Sequence, residues 1–352
     1  MFILSSFDSS SLHNRVANKG GKLRTIANIL FRYRRFAWIC ACILYLSTGQ
    51  RPIIGLTGQT LDPQIPRSGM PSDIIRISTN LVTLPVSVTD SEGRAIRNLG
   101  SQDFLIEEDG RSEAISKIAE AGQSPLQLAL LFDLSGSVHS RFHFEQQAAI
   151  RFLEKVWKPG DTVSVIAFAE HPRICLRGSN SLSEAFQILW NLQPTEGPTA
   201  FFDSVVLSTN ILRQSAEPGT RQSVVALSDG EDNRSEHNLP KVLHAVQRSD
   251  TIFYSINPAG PSIRLNEISR QGQADLESLA KETGGNAFVS DKSDDLDDIF
   301  SRIAIELRAQ YLLTYYSTNS RIDGKFRQIL VSIPERPDLR IRARRGYYAA
   351  KQ

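Results

Sequence analysis

The chain has 352 residues, 41% hydrophobic and 22% charged, which excludes a disordered, collagen-like or coiled-coil protein and leaves room for two domains and a tail. Its three cysteines, Cys40, Cys42 and Cys175, exclude a disulfide scaffold and form no CxxC zinc pair. Of 40 Lys/Arg and 38 Asp/Glu, residues 1–49 hold seven bases and one acid, so the remainder carries a net charge of −4 and nucleic acid is excluded as its expected partner.

Residues 1–49 read as a signal peptide or an N-terminal anchor. Arg32, Arg34 and Arg35 precede the apolar run Phe36–Leu46, which has the length of a signal-peptide core and falls short of the roughly 20 residues of a spanning helix. Ser47 and Gly49 supply small residues for a cut before Gln50. Two other readings stand beside cleavage: retention as an anchor, and lipidation at Cys42. All three deliver the rest of the chain to the periplasm, the cell envelope or the medium. The stretch before the apolar run is long for a signal peptide, which is also consistent with a start downstream. Membrane contact is expected only through this segment, if it is uncleaved. Residues 50–76, punctuated by Pro52, Gly55, Gly58, Pro63, Pro66, Gly69 and Pro71, read as a flexible linker.

Residues 78–122 read as a small unit of β-strands. Val82, Leu84, Val86 and Val88 alternate with smaller or polar residues, the period of a half-buried strand. Pro85 cannot donate to a ladder and predicts an edge position. Asp90–Gly93 predicts a turn, and Asp109-Gly110 predicts a hairpin between Phe104–Ile106 and Ala114–Ile118.

Residues 124–310 follow a different regime. Leu126–Phe132 is a nearly continuous apolar run, as in a strand covered on both faces. After it come a helix from about Val138 to Val156, strand 162–169, helices 183–192 and 200–214, strand 223–228, helix 239–248, strand 251–256, helix 275–283, strand 286–289 and a helix from Asp294 to about Arg308. The acids at the start of that last helix read as dipole-compensating residues on a solvated face rather than a calcium site. Such alternation predicts an α/β, doubly wound, mostly parallel sheet. Strands return in residues 311–349, at Tyr311–Tyr316, Phe326–Ile333 and Leu339–Ala343. The α/β domain is thus expected to be inserted between strands of a small β-sandwich-like unit, with 311–349 pairing with 78–122.

In an open α/β sheet, ligands bind beyond the carboxyl ends of the strands. There the first buried strand ends in Asp133-Leu-Ser135-Gly-Ser137, a turn carries Gly197-Pro-Thr199, and a third strand leads into Asp229-Gly-Glu-Asp-Asn233. Two carboxylates and three hydroxyls converge on one rim, which is expected to face solvent. All are hard oxygen ligands, suited to Mg²⁺ with some waters retained; Mn²⁺ or Ca²⁺ would also suit them. His139 and His143, with Glu145, could also be read as a zinc pair, but read better as surface residues, and His139 borders the metal loop.

The D-x-S-x-S string, with a Thr and an Asp at two further strand ends, resembles the von Willebrand factor type A domain and its metal-ion-dependent adhesion site. The resemblance implies a Rossmann-like domain. It implies direct ligation by the hydroxyls of Ser135, Ser137 and Thr199, with Asp133 and Asp229 acting mostly through coordinated water. The family's usual G-G-T is Gly197-Pro198-Thr199 here. Val88–Gly93, Asp103-Phe104, Glu108–Gly110, Tyr311–Tyr316, Asp323–Phe326 and Arg345–Tyr347 add a likeness to a bacterial family of exported proteins related to von Willebrand factor A.

No G-x-S-x-G, G-x-x-x-x-G-K-[ST], G-x-G-x-x-G or H-E-x-x-H string is present, so no enzyme is expected. The sequence points to an exported binding module that captures an Asp or Glu side chain of another protein through a bound Mg²⁺, with His139 touching that partner. The alternatives are a structural subunit of an envelope assembly with a stabilising metal, and a metal-dependent hydrolase.

Overall fold

A computed structural model describes residues 80–351, apart from 136–141, 218, 259, 261–265 and 291–294. The leader, the linker, Ser137 and His139 lie outside the described residues. Among the described residues no helix is long and apolar enough to cross a membrane.

The α/β domain is built on a six-stranded sheet of β5 (Leu126–Asp133), β6 (Thr162–Phe168), β7 (Pro172–Ser179), β8 (Arg221–Leu227), β9 (Thr251–Asn257) and β10 (Ala287–Val289), in the order β10-β9-β8-β5-β6-β7. The pairs β10–β9, β9–β8, β8–β5 and β5–β6 are parallel, while β7 runs antiparallel at one edge. Every residue of β5, β8 and β9 is buried, which is why their sequences are largely apolar and show no in–out alternation. One face packs on α1 (Phe142–Val156), α2 (Leu182–Asn191) and α6 (Asp295–Ala309), with Phe132, Phe152, Leu189, Phe300 and Ile303 in its core. The other packs on α3 (Phe201–Gln214), α4 (Leu239–Gln247) and α5 (Glu267–Thr283), around Phe201, Val205, Phe253 and Leu276.

The flanking strands are β1 (Leu81–Thr89), β2 (Leu105–Glu108), β3 (Arg111–Glu113) and β4 (Ile115–Glu120) before the domain, and β11 (Tyr311–Tyr316), β12 (Phe326–Ser332), β13 (Arg340–Arg342) and β14 (Gly346–Tyr348) after it. They make two four-stranded sheets, β13-β1-β11-β4 and β14-β12-β2-β3. Leu84, Val86, Ile106, Leu313, Tyr315 and Ile329 fill the core they share. Strand β11 lies between β1 and β4, antiparallel to both, with Leu313 opposite Leu84 on one side and Ile118 on the other. The first strand after the α/β domain thus completes a sheet begun before it.

Three expectations need correction. Asp109-Gly110, both at positive φ, turns β2 into β3, Arg111–Glu113, and not into the strand after it. The chain changes sheets at Ala114, and β4 pairs with β11 instead. Strand β1 is not an edge, because β13 pairs with Ser87–Thr89; Pro85 is tolerated because it precedes the stretch that β13 covers. Helix α5 begins at Glu267, two turns before the expected start. Strands β7 and β14 were not anticipated: β7 is a bulged edge strand whose exposed Arg173 and Arg177 obscure any alternation.

Candidate metal centre

Asp133 is the last residue of β5, at the carboxyl end of the sheet, and it is fully buried. Its Oδ1 accepts from the Ser135 backbone N–H at 2.9 Å, turning the chain sharply after the strand. Its Oδ2 accepts from Ser228 Oγ at 2.7 Å, across to the end of the neighbouring β8. Ser228 also receives the Gly230 N–H at 3.1 Å and so holds the start of the next loop. In that loop Asp229, 5% exposed, accepts from the Glu231 N–H at 3.1 Å. The rim thus differs from the expected solvent-facing one: both carboxylates are buried.

Thr199, also buried, lies immediately before α3 and is fastened to the Asp229 loop. Its N–H donates to Asn233 Oδ1 at 2.8 Å, and its carbonyl accepts the Asn233 N–H at 3.1 Å. Gly197, before Pro198, takes φ +134°, a conformation that suits glycine and accommodates Pro where the family has a second glycine. The same loop reaches α3 twice more: Asp232 Oδ2 accepts the Phe202 N–H at 2.8 Å, and Ser235 Oγ accepts the Asp203 N–H at 3.0 Å. Asp203 in turn holds His237 Nδ1 at 2.6 Å and the N–H groups of Glu236 and His237 at 3.1 Å. Burial pushes the Asp203 carboxyl up, but the His237 and backbone hydrogen bonds outweigh it and hold it below the ordinary range.

The structure therefore brings Asp133, Ser135 and the Asp229 loop together and ties Thr199 to that loop. Sequence reading missed Ser228, Asp232, Asn233, Asp203 and His237, which fix these loops. The sole local signal was the adjacency of Ser228, Asp232 and Asn233 to Asp229.

Burial, followed by the nearby charge of Asp229, pushes the Asp133 carboxyl up to about 7, against the hydrogen bonds from Ser135 and Ser228. Among the described residues neither carboxylate is paired with a Lys or Arg side chain. Two buried acids at one point, with hydroxyls beside them, form a donor set that fits a hard divalent cation. The described residues contain no group of three or more His, Cys, Asp or Glu side chains placed to hold a metal, so this set is distinct in using hydroxyls. His143 is occupied with Gln146, Nδ1 to Oε1 at 3.0 Å, and Glu145 is fully buried on the inner face of α1.

A six-stranded α/β sheet with carboxylates and hydroxyls gathered at the carboxyl ends of its strands defines a Rossmann-like domain with an oxygen-rich rim. Residues 127–302, half of the chain, match the von Willebrand factor type A domain, and the chain belongs to this family. Among solved structures it is similar to the conserved hypothetical protein BatB from Bacteroides thetaiotaomicron, at 14% identity over 51% of this chain and 97% of that one, with a TM-score of 0.41. An aerotolerance-related membrane protein from Bacteroides fragilis gives 20% identity over 52% and 98%, with a TM-score of 0.40. Proximal thread matrix protein 1 from the mussel byssus gives 14% over 57% and 51%, with a TM-score of 0.45. No curated protein matches the chain.

Proposed function

We propose that this chain is an exported, non-enzymatic binding module that captures an acidic side chain of another protein through Mg²⁺ held by Asp133, Ser135, Ser137, Thr199 and Asp229. Its domain class is that of protein-interaction modules. The finer reading is carried by one observation: two buried carboxylates at adjoining strand ends, unpaired with any described Lys or Arg, one of them pushed up to about 7. When bound, the ion supplies positive charge and an open coordination position for a partner's carboxylate.

The chain's own residues prepare that position. Ser228 turns one oxygen of Asp133 away, and the Ser135 N–H fixes the other. Asn233 holds Thr199 to the Asp229 loop through two hydrogen bonds. Ser135, Ser137 and Thr199 would supply neutral oxygens directly, while Asp133 and Asp229 would act mostly through coordinated water, so the ion would keep its attraction for a partner's carboxylate. His139 is assigned to the partner contact because it follows Ser137 by two residues in the sequence. Export rests on the basic block and short apolar run of residues 32–46.

Calorimetry with Mn²⁺ tests the site: stoichiometric binding at micromolar to millimolar metal is expected. Capture of a partner from envelope extract should then vanish in EDTA and with Asp133→Ala. Capture unaffected by both would overturn the adhesion reading.

A further inference from the structure

Helix α5 is seated in its second turn and at its end by backbone contacts that only glycine permits. A Cβ at Gly272 would lie 2.7 Å from the Asp229 carbonyl oxygen and 2.8 Å from the Gly230 carbonyl carbon. One at Gly230, whose φ is +78°, would lie 2.4 Å from the Gly272 carbonyl oxygen. These are closer than side chains tolerate, so helix and loop meet backbone to backbone. Polar contacts surround the meeting point. Ser269 Oγ donates to Glu231 Oε1 at 2.7 Å. Asn257 Nδ2 donates to the Asp229 carbonyl at 3.3 Å and to Gln273 Oε1 at 3.0 Å.

The other end of α5 meets the flanking sandwich. A Cβ on Gly284, the left-handed residue that ends the helix, would lie 2.5 Å from the Ala343 carbonyl carbon and 2.7 Å from Arg344 N. The Glu282 carbonyl accepts the Arg345 N–H at 3.2 Å, and its carboxylate pairs with the Arg345 guanidinium at 3.1 Å. From Gly272 to Gly284 the axis spans about 18 Å, a length over which an α-helix is stiff.

We propose that α5 is a strut that positions Asp229, seated on the Asp229 loop through Gly272 and Gly230 and on the flanking sandwich through Gly284. Gly272 and Ser269 are positioning residues. The expected effect on metal affinity rests on Asp229 being a ligand, whereas the effect on the loop itself does not. Displacing either end of the helix shifts the Asp229 peptide, because neither contact has side-chain slack to absorb the movement.

The test uses the purified full chain, with hydrogen exchange of residues 229–233 measured in EDTA and Mn²⁺ affinity measured by calorimetry. Gly272→Ala and the milder Ser269→Ala should each speed exchange in 229–233 and weaken Mn²⁺ binding by about tenfold, the size typical of lost outer contacts at a metal site. Ala274→Gly, on the exposed face of α5, lowers helix stability and controls for general loosening; it should leave both readouts unchanged. Gly284→Asn keeps a residue that tolerates the left-handed backbone but adds the Cβ, and it too should speed exchange in 229–233. Unchanged loop exchange in Ser269→Ala and in any folded Gly272→Ala overturns the positioning role. Exchange changes confined to 280–285 in Gly284→Asn overturn the sandwich end. If the wild type binds no Mn²⁺, the metal reading fails, and loop exchange still decides for or against the strut.

Discussion

Asp133 sits where burial and a like charge both oppose ionisation, so its effect on stability depends on pH in a definite direction. In the unfolded chain its carboxyl titrates near 3.8; in the metal-free fold it is pushed up to about 7. Between those values the native state holds the extra proton, so metal-free stability should fall as pH rises from about 4 and level off above about 7, by a few kcal/mol at most. Urea melts in chelator at pH 5 and pH 8 measure this. Asp133→Asn, which keeps acceptor and shape, should flatten the profile and raise stability at pH 8; an equal slope in both proteins would refute the assignment. With Mn²⁺ present the ranking reverses, since Asp133→Asn should lose at least about tenfold in metal affinity while Thr199→Ala, which removes one neutral ligand that water can replace, should lose less. Asp133→Ala is the harsher variant, because it strands the Ser228 hydroxyl and the Ser135 N–H in a buried site. The placement of Asp133, Ser135, Thr199 and Asp229 at the carboxyl edge of the sheet was legible because each lies at the end or the start of an element that the apolar pattern marks. Their burial was not, since it depends on long-range packing such as the Ser228 contact to Asp133 and the Asn233 contact to Thr199.

Among the elements, α3 shows how the site and the scaffold share parts. Its N-cap is Ala200, whose side chain accepts nothing. The first-turn donors are taken up from outside instead, by Asp232 on Phe202 N and Ser235 on Asp203 N. An acid at a helix N-terminus gains from both hydrogen bonding and the dipole, so Asp232→Ala should destabilise the fold by about 1–2 kcal/mol. Asp232→Asn should recover part of that loss. Denaturant melts of the two variants decide it, and no loss in Asp232→Ala would show that water caps the helix equally well. A sequence pattern cannot reveal such a cap, because donor and acceptor lie 30 residues apart. The same limit explains the misplaced start of α5. Glu267–Ala274 is polar and contains Gly272, so periodicity alone detects only the later turns. Gly272, which weakens the helical signal, is the residue whose missing side chain lets the helix approach Asp229. Strands β5, β8 and β9 were legible for the opposite reason: full burial on both faces leaves them largely apolar, with no alternation of exposed polar positions.

At the scale of the molecule, the chain leaves the sandwich once and returns once, and the seam between sandwich and α/β domain is buried and polar. Tyr254 OH, in β9, donates to Glu306 Oε1 at 2.8 Å, and Arg342 of β13 reaches Glu306 Oε2 at 2.5 Å. Gln310 Nε2 lies 3.2 Å from both Ser87 Oγ and Tyr254 OH. Glu306, Gln310, Tyr254 and Ser87 are each less than 9% exposed. Because β11 pairs with β1 and β4 while following directly from α6, the sandwich cannot lose β11 without disturbing the last helix of the α/β domain. The two parts should therefore unfold together, in a single calorimetric transition whose van 't Hoff and calorimetric enthalpies agree. Glu306→Ala strands a guanidinium and a phenol in this seam and should cost roughly 2–4 kcal/mol, since a partner removed from a mostly buried pair leaves its mate uncompensated. At this chain length that corresponds to a melting temperature lower by about 3–8 °C. Glu306→Gln, which can still accept from Tyr254, should lose less. Two resolved transitions in the wild type, or a Glu306→Ala variant that separates them without lowering either, would show that sandwich and α/β domain are independent bodies and that the seam carries no cooperativity.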